Sequence, residues 1–448
     1  MNTTEKTISR FDELPLLEQI LAAVKKSGYD TPTPIQAQAI PHLLEGKDLL
    51  GCAQTGTGKT AAFALPIINN IARSKMYVQP RNVNCLILTP TRELALQIFE
   101  SFKTYSAGLP LKMAVVYGGV GIGPQIRAVH DGVDVLVATP GRLLDLISQN
   151  KLSIKQVKTF VLDEADRMLD MGFIHDIKKV LTMIPQKRQT LFFSATMPPE
   201  IEKLSSSMLT NPVRISVNPV SSTAEKVEQC VMYVEQSRKR DLLRHLLLDP
   251  KFKRVIVFTR TKHGANRVTE VLAKNNIPAE AIHGNKSQNA RQRALEQFKN
   301  NKIRVLIATD IAARGIDIDG ISHVINFEVP NIAESYVHRI GRTARAGMEG
   351  IAISFCDVEE KSFIRDIEKL IGQPIEVDRT HPYHSVAVEN AALIKSGKAK
   401  AQMESRGGGN RGRSGGRPAG GGGGAGGNRS YAPKKKTSFF NRFKSSGK

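Results

Sequence analysis

Residues 159–166 read Thr-Phe-Val-Leu-Asp-Glu-Ala-Asp. The apolar run Phe160–Leu162 is typical of a buried strand, and Asp163 and Glu164 follow at its carboxyl end. Because ligands of open α/β sheets bind beyond the carboxyl ends of the strands, two acids at this position suit a magnesium–nucleotide site. Taken alone, the four residues 163–166 fit the acidic start of an ordinary helix equally well.

The segment 53–60, Ala-Gln-Thr-Gly-Thr-Gly-Lys-Thr, favours the nucleotide site. It follows a strand-like run and precedes a helical stretch, which is the context of a phosphate-binding loop. Gly56 and Gly58 let backbone N–H groups turn toward phosphates, and the next helix offers its positive end. We expect Lys59 on the β- and γ-phosphates and Thr60 as a hydroxyl ligand of magnesium. The usual pattern begins with glycine, and this chain has Ala53 there.

With this loop in place, the two acids acquire separate roles. Asp163 is expected to hold magnesium through water beside Thr60, and Glu164 to orient or deprotonate the attacking water. Phosphoryl transfer also needs a positive group on the leaving phosphate, and the first half of the chain offers no candidate for it.

The composition describes a basic globular chain of 448 residues with 41% hydrophobic content, long enough for two or three domains. No run of 18 apolar residues predicts a membrane span, and residues 1–10 lack the apolar core of a signal peptide. The four cysteines are far apart and form neither a CxxC metal pattern nor a disulfide framework, so we expect a cytoplasmic setting. Cys52 is interpreted as a small buried filler.

The positive charge is concentrated at the carboxyl end. The net charge is +22, and residues 395–448 hold 14 Lys and Arg against one acid, Glu404. That segment therefore carries +13 and the rest of the chain +9. Such asymmetry favours a polyanion as partner over an anionic membrane, because no long basic amphipathic helix is visible.

Strand-like and helical stretches alternate along most of the chain, which predicts parallel α/β sheets. The strand candidates of a first sheet are Asp48–Cys52, Cys85–Thr89, Met113–Tyr117, Val133–Ala138, Thr159–Leu162 and Thr190–Ser194. Those of a second sheet are Val231–Val234, Val255–Thr259, Ala279–Ile282, Val305–Thr309, His323–Phe327 and Gly350–Phe355. The predicted organisation is an N-terminal helical segment 1–35, a first domain 36–217, a linker 218–224 within the composition break 211–224, a second domain 225–385 and a tail 386–448.

The tail is predicted to be disordered in isolation. Residues 406–429 are rich in glycine with interspersed arginine, and the last segment, 431–448, adds lysines and phenylalanines. We interpret it as a non-specific tether for the polyanion partner; the alternative is a solubilising appendage.

The chain resembles the DEAD-box RNA helicases, and closely their bacterial RhlE-like branch. The resemblance spans residues 11–375. In the first half it rests on Phe11, Gly28-Tyr29, Pro32–Gln36, the 53–60 loop, Pro90–Ala95, Gly118-Gly119, Thr139–Arg142, Asp163–Asp166 and Ser194–Thr196. In the second half it rests on Val257–Thr259, His283-Gly284, Gln288, Arg291, Thr309-Asp310, Ala313–Asp317 and His338–Arg345. One departure is Ala344, where the family commonly has glycine.

The resemblance implies two tandem RecA-like domains that bind ATP and Mg²⁺ between them. Gln36 would read the adenine and Phe11 would stack on it, Asp317 would contact the ribose, and Arg342 and Arg345 would supply the missing positive charge. Asp166, Ser194, Thr196 and His338 would couple the domains. The full set of implied ATP-binding residues is Phe11, Gln36, Ala53, Gln54, Thr55, Gly56, Thr57, Gly58, Lys59, Thr60, Asp317, Arg342 and Arg345.

The resemblance also implies an RNA-binding groove. The implied contacts are Pro90, Thr91, Arg92, Gly119, Thr139, Arg142, Thr259, Gln288, Arg291 and Thr309. Such groups bind phosphate and sugar, and aromatic residues are only 6% of the chain, so we expect RNA binding without sequence preference.

The expected activity is RNA-stimulated ATP hydrolysis coupled to local separation of short duplexes. Two alternatives stay open at the level of sequence: an ATP-gated RNA clamp with little unwinding, and a DNA helicase. Complexes for ribosome assembly or RNA decay are compatible partners.

Overall fold

The computed structural model describes residues 8–53, 56–74, 77–217, 227–313, 318, 320–344, 350–394 and 397. In this part of the chain the strands form two seven-stranded sheets, and every strand pairing is parallel. The first sheet contains β1 Leu49–Ala53, β2 Val83–Leu88, β3 Met113–Val116, β4 Val133–Ala138, β5 Thr159–Leu162, β6 Gln189–Ser194 and β7 Val213–Val217. The second contains β8 Val227–Tyr233, β9 Val255–Phe258, β10 Ala279–Ile282, β11 Val305–Ala308, β12 His323–Asn326, β13 Gly350–Cys356 and β14 Glu376–Val377.

Both sheets have the same topology. The first has the strand order β3-β4-β2-β5-β6-β1-β7, and the second has the order β10-β11-β9-β12-β13-β8-β14. Counted from its own first strand, each sheet therefore repeats the order 3-4-2-5-6-1-7. This arrangement confirms the predicted pair of RecA-like parallel-sheet domains.

Helices connect successive strands, as parallel strands require. The first domain has α1 Glu18–Lys26, α2 Pro34–Leu44, α3 Lys59–Ser74, α4 Arg92–Tyr105, α5 Ile122–Val129, α6 Pro140–Ser148, α7 Ala165–Asp170, α8 Ile174–Leu181 and α9 Pro199–Met208. The second has α10 Lys239–Leu248, α11 Lys262–Lys274, α12 Gln288–Lys299, α13 Asp310–Ala313, α14 Ala333–Ile340, α15 Lys361–Ile371 and α16 Val386–Asn390. Short 3₁₀ helices cover Phe11–Glu13, Gln236–Arg238 and Val358–Glu360.

Strand β5 shows how the sequence builds the core. Val161 packs into the cluster on one face of the first sheet, and Phe160 and Leu162 pack into the cluster on the other face. All three side chains are fully buried. Because helices cover both faces of a parallel sheet, its central strands are apolar throughout instead of alternating.

The structure adds one strand to the predicted first domain and corrects one boundary. Part of the composition break 211–224 is strand β7, which pairs with β1 from Val213 to Val217. Its apolar residues alternate with polar ones, the pattern of a half-buried edge strand, and the neighbouring asparagines and prolines hide it in the sequence. The predicted linker 218–224 lies outside the described residues.

The tail predicted to begin at residue 386 begins instead with an ordered helix. In α16, Val388 is buried and Glu389 forms an ion pair with Arg379 at 2.5 Å. The Lys361 ammonium also donates to the carbonyl oxygen of Glu389 at 2.6 Å. The boundary at residue 386 is therefore wrong, and the tail apart from residues 386–394 and 397 lies outside the described residues. No helix among the described residues is both long and apolar enough to cross a membrane.

Candidate functional site

The strand order divides the carboxyl edge of the first sheet into two halves. Strands β5, β6 and β1 are neighbours, so the segments that follow them, including Asp163–Asp166, Ser194–Thr196 and the 53–60 loop, meet on one side. Strands β3, β4 and β2 are neighbours on the other side, and the segments Gly118-Gly119, Thr139–Arg142 and Pro90–Arg92 follow them. The two predicted sets of site residues thus lie at one edge of one sheet, side by side.

The loop after β1 has the backbone that its glycines predict. Gly56 and Gly58 have φ values of +85° and +91°, in the left-handed region that favours glycine. A Cβ on Gly58 would lie 2.4 Å from the side-chain nitrogen of Gln36, so this position has no room for a side chain. The Lys59 ammonium is buried and donates to the carbonyl oxygen of Ala53 at 2.6 Å. Gln54 and Thr55 lie outside the described residues.

Gln36 connects this loop to the N-terminal segment. Its amide oxygen accepts a hydrogen bond from the backbone N–H of Thr33 at 2.9 Å, and its amide nitrogen donates to the carbonyl oxygen of Gly58 at 3.1 Å. Gln36 is buried, at the start of α2. The residue predicted to read adenine is thus fixed against the phosphate loop.

The two acids after β5 are buried in different electrostatic environments. Burial raises the pKa of Asp163 to about 6, although the nearby Lys59 ammonium opposes the shift. Burial also acts to raise the pKa of Glu164, but Arg167, at 2.6 Å, and Lys59 outweigh burial and lower it. Glu164 has φ +55°, a left-handed conformation that is uncommon for a residue other than glycine.

Asp166 organises the segment after β6. One carboxylate oxygen accepts hydrogen bonds from the backbone N–H groups of Ala195 and Thr196, at 3.1 and 2.9 Å, and from the Thr196 hydroxyl at 3.0 Å. The Ser194 hydroxyl in turn accepts from the backbone N–H of Asp166 at 3.2 Å. The predicted coupling residues of the first domain therefore form one network.

The second domain reaches this side of the site through α14 and the turn after it. His338 and Arg342 line a small cavity together with Lys59, Glu164 and Asp166. The Arg342 guanidinium donates to the carbonyl oxygen of His338 at 3.1 Å, and the side chain is 4% exposed. Arg345 and Asp317 lie outside the described residues.

A cavity of about 660 Å³ extends from the phosphate loop toward the N-terminal segment. Its walls include Gln36, Thr60, Asp163 and Arg342, as well as Tyr29, which is 46% exposed. The prediction that Phe11 faces this site is not supported, because Phe11 is buried in the hydrophobic core and is absent from the cavity wall. The aromatic ring that the cavity exposes is Tyr29.

The other half of the edge contains a second cavity, of about 590 Å³. It brings together the first-domain residues Pro90, Thr91, Arg92, Thr139 and Arg142 with Gly284 and Arg291 of the second domain. Gly119 has φ +80°, and a Cβ there would lie 2.0 Å from the Arg92 guanidinium, so this glycine allows Arg92 to approach the backbone.

The two domains contact each other directly beside this cavity. A guanidinium nitrogen of Arg92 donates to the side-chain oxygen of Gln288 at 3.3 Å, and the Gln288 amide nitrogen donates to Glu93 at 3.1 Å. Arg291 forms an ion pair with Glu93 at 3.0 Å. We call Arg92, Glu93, Gln288 and Arg291 the interdomain contact.

Two predicted RNA residues are less accessible than expected. Thr259 is fully buried, and its hydroxyl donates to the carbonyl oxygen of Thr261 at 3.3 Å. Thr309 is 8% exposed. The structure therefore does not bring either hydroxyl onto the wall of the second cavity.

Three residues of the site were not singled out from the sequence. From the sequence, Tyr29 is part of a motif but has no assigned role, although the Gly28-Tyr29 pair shortly before Pro32 indicates an aromatic ring near Gln36. Glu93 directly follows the selected residue Arg92, and only its cross-domain partners give it a role. Arg167 lies on α7, and its partner Glu164 immediately precedes that helix, so the two residues are three apart in sequence.

Comparison with known proteins agrees with this geometry. Residues 33–204 match the model of the DEAD/DEAH box helicase family, and residues 238–347 match that of the helicase conserved C-terminal domain. The chain is 44% identical over 399 residues to the DEAD-box ATP-dependent RNA helicase CshA of Bacillus anthracis, which covers 89% of this chain and 74% of that protein. It is 45% identical over 362 residues to the ATP-dependent RNA helicase CshA of Listeria monocytogenes, covering 81% and 69%.

Solved structures give the same result for the fold. S. cerevisiae Dbp5 bound to RNA and ADP BeF3 superposes with a TM-score of 0.74 at 27% identity, covering 88% of this chain and 98% of that one. Mss116p bound to ssRNA and AMP-PNP also superposes with a TM-score of 0.74, at 28% identity, covering 85% and 81%.

Two RecA-like domains, with a phosphate loop on the first and an arginine of the second facing it, define the core of a two-domain, nucleotide-dependent helicase. Within that class, the chain belongs to the DEAD-box ATP-dependent RNA helicases.

Proposed function

We propose that this helicase binds single-stranded RNA and ATP across its two domains, separates short duplexes locally and hydrolyses ATP to release the RNA. The proposal rests on two separate contacts between the domains. Arg342 reaches the cavity of Lys59 and Glu164, and Arg291 reaches Glu93 beside the second cavity. Each ligand site is thus built from both domains.

The residues of the first cavity fit a nucleoside triphosphate with magnesium. Two left-handed glycines free the backbone for close approach, Lys59 supplies a buried ammonium, and Gln36 supplies an amide donor and acceptor for adenine. Thr60 and Asp163 would hold Mg²⁺, which supplies charge neutralisation at the phosphate oxygens. Burial disfavours the ionised form of Asp163, and a bound cation would favour that form. We propose that Tyr29, instead of Phe11, provides the stacking surface.

Glu164 would act on the attacking water. Arg167 and Lys59 lower its pKa, so its carboxylate is ionised at neutral pH and would orient the water or accept its proton. Arg342 would compensate charge on the transferred phosphoryl group. As the resemblance implies, Arg345 would add a second guanidinium and Asp317 would contact the ribose.

The residues of the second cavity suit an RNA backbone. Arg92, Arg142 and Arg291 offer guanidinium groups, and Thr91 and Thr139 offer hydroxyls. Such groups contact phosphate and sugar and carry no base sequence. Discrimination against DNA would depend on the ribose 2′-hydroxyls.

Because ATP and RNA both favour the closed arrangement of the domains, each must raise the affinity for the other by the same factor. Asp166 and Ala195 line the small cavity together with His338, and through this contact the Asp166 network with Ser194–Thr196 would transmit closure. Hydrolysis removes one of the two ligands that hold the domains together.

Several finer assignments belong to the same proposal. The motif spelling over residues 11–375 supports an RhlE-like branch, although the relatives named above are CshA proteins. The four free cysteines support a cytoplasmic location. Complexes of ribosome assembly or RNA decay are the partners we would examine first, and crosslinking and sequencing bound RNA in cells would identify the substrate.

The proposed function is tested by measuring ATP hydrolysis and duplex separation with RNA and with DNA of the same sequence. We expect RNA to stimulate hydrolysis, DNA to do so poorly, and a short RNA duplex to separate only with ATP. The variant Lys59→Ala should abolish both activities. An ATPase rate that is independent of RNA contradicts the proposal, and RNA stimulation without duplex separation identifies a clamp instead.

A further inference from the structure

A third cavity lies on the first domain, away from both parts of the site. Its volume is about 390 Å³, and its walls include Tyr77, Val83, Asn84, Val157, Lys158 and Lys187. Strand β2 begins at Val83 and β5 begins at Thr159, so this cavity lies at the amino ends of the strands. The nucleotide and RNA cavities lie at the carboxyl ends, on the opposite edge of the sheet. Nothing in the proposed mechanism uses this surface.

The cavity combines an apolar floor with an exposed aromatic ring. Val83 and Val157 are fully buried, whereas Tyr77 is 76% exposed, the largest fraction among the exposed large hydrophobic residues that the structure describes. An exposed ring next to a concave apolar floor offers a ligand two apolar contact surfaces at once. Its flat face is a stacking platform that any nucleobase can use.

The charged residues on the wall of the cavity are both positive. Lys158 and Lys187 line it, and no aspartate or glutamate does. Four more cations, Arg81, Lys151, Lys155 and Arg188, lie nearby along the chain, in the segments 77–84, 151–158 and 185–188, which contain no aspartate or glutamate. All six except Arg188 are exposed. A positive rim of this kind attracts polyanions and raises their rate of association.

We propose that this surface is a second RNA site, which takes a single-stranded segment of the same RNA that occupies the cleft between the domains. One base stacks on Tyr77 above the valine floor, and the side-chain amide of Asn84 offers a donor and an acceptor to the base edge. The flanking phosphates lie on Lys158 and Lys187. The proposal rests on the proposed binding of RNA in the cleft.

The lining favours RNA over an acidic peptide. A peptide with an apolar anchor would use the valines and lysines, but it would leave the amide of Asn84 and the ring of Tyr77 without a role. A planar base uses the ring, the apolar floor and the amide together. This second site would hold a strand of the substrate while the cleft opens and closes.

The test compares two RNA lengths on the full-length protein. A single strand of about ten nucleotides fills the cleft, and one of about thirty nucleotides can also reach the opposite edge. We expect the variant Tyr77→Ala/Lys158→Glu/Lys187→Glu to bind the long RNA about tenfold more weakly than the unchanged protein in fluorescence anisotropy. Its affinity for the short RNA, and ATP hydrolysis stimulated by the short RNA, should not change.

The matched control is Lys274→Glu/Lys302→Glu, which reverses the same number of exposed charges on the second domain. This control should keep the long-RNA affinity within about twofold. Photocrosslinking of uracil-containing long RNA should yield a peptide that contains Tyr77. An equal loss in both variants, or no crosslink at Tyr77, overturns the proposal. If the triple variant keeps its long-RNA affinity but loses binding to polyglutamate, the surface docks a protein and the proposal is overturned. If the short RNA fails to stimulate hydrolysis by the unchanged protein, the proposed function itself is contradicted.

Discussion

The Arg291 guanidinium of the second domain lies 3.0 Å from the Glu93 carboxylate of the first, and the two side chains are 11% and 6% exposed. Glu93 also accepts a hydrogen bond from Gln288 at 3.1 Å. This buried pair joins the two domains beside the proposed RNA cavity, as Arg342 and His338 join them beside the proposed nucleotide cavity. Both proposed ligand sites are therefore built from both domains, which is the physical condition for coupling between them.

Breaking this pair should uncouple RNA from hydrolysis. Glu93→Gln leaves Arg291 without its charged partner in a buried position, a change that commonly costs about 2 to 5 kcal/mol. We expect RNA-stimulated ATP hydrolysis to fall about tenfold or more, with little change in the basal rate. The measurement is the ATPase rate as a function of RNA concentration.

The control for this variant is Glu270→Gln on the exposed face of α11, which should behave as the unchanged protein. The double variant Glu93→Gln/Arg291→Gln should lose less than the sum of the single losses, because the two groups act on each other. Fully additive losses show that the pair does not couple the domains.

Glu164→Gln should separate binding from turnover. The amide keeps the size of the side chain but cannot accept a proton, so we expect hydrolysis to fall about a hundredfold or more. ATP and RNA should stay bound, and the RNA complex should dissociate slowly. Stopped-flow fluorescence of labelled RNA measures that release.

Glu164 also pairs with Arg167 at 2.6 Å, so a structural effect must be distinguished. Arg167→Gln removes the same ion pair and keeps the carboxylate. We expect the rate of ATP hydrolysis of this variant to be at least about tenfold higher than that of Glu164→Gln. Equal losses in the two variants assign Glu164 to structure instead of to the water.

Ala344→Gly should stabilise the protein. Ala344 has φ +53°, and the left-handed conformation costs an L-residue other than glycine about 1 to 2 kcal/mol. Part of this gain is offset by the greater freedom of glycine in the unfolded chain, so we expect a net increase of about 1 kcal/mol in the free energy of unfolding. Urea denaturation followed by circular dichroism measures it.

The reference substitution is Ala22→Gly, in the middle of helix α1, where glycine should destabilise by about 1 kcal/mol. Changes of opposite sign in the free energy of unfolding at the two positions identify backbone strain at Ala344 as the cause. A loss of stability in Ala344→Gly contradicts the assignment.

His323 should make the stability of the second domain sensitive to mild acid. Burial, with help from Lys251, lowers the pKa of His323 to about 4, and its ring packs against Phe252 at a centroid distance of 4.3 Å. Asp249 opposes the shift, and Ser322 lies 2.9 Å from Nδ1 of the ring. Because the unfolded state binds the proton near pH 6.5, this contribution is complete above that pH and is lost as the pH falls toward 4.

Between pH 6.5 and pH 5, protonation of His323 in the unfolded state lowers the free energy of unfolding by about 2 kcal/mol at most. Thermal unfolding at both pH values should show a smaller acid-induced decrease in His323→Gln than in the unchanged protein. The exposed His175 provides the control, since His175→Gln should leave the decrease unaltered. The same decrease in all three proteins contradicts the role of His323.

Removal of residues 402–448 should weaken RNA binding and flatten its dependence on salt. This truncation leaves the anchored helix α16 intact and removes eleven lysines and arginines and one acid. We expect the slope of log affinity against log salt to decrease by about 2 or more, with basal ATP hydrolysis little changed. A full-length variant with those eleven cations replaced by glutamine should behave like the truncation, and an unchanged slope in either protein excludes a tether.

The sequence predicted most of the architecture because its signals are local. Six strands of each sheet, the phosphate loop and helix α1 follow from apolar runs, glycine spacing and helix breakers. The two strands that it missed, β7 and β14, are edge strands. Edge strands bury only one side and are short, so their hydrophobic pattern is weak.

The sequence by itself determined which side chains the chemistry uses, because residue types such as Lys59, Asp163 and Glu164 carry that chemistry wherever the chain folds. Only the tertiary structure decided which of them meet. The order of strands in the sheet placed Asp163 beside the phosphate loop, and core packing took Phe11 away from the cavity and left Tyr29 there. Contact between the two domains gave Glu93 its partner Arg291, almost two hundred residues away, and no local pattern encodes a contact at that separation.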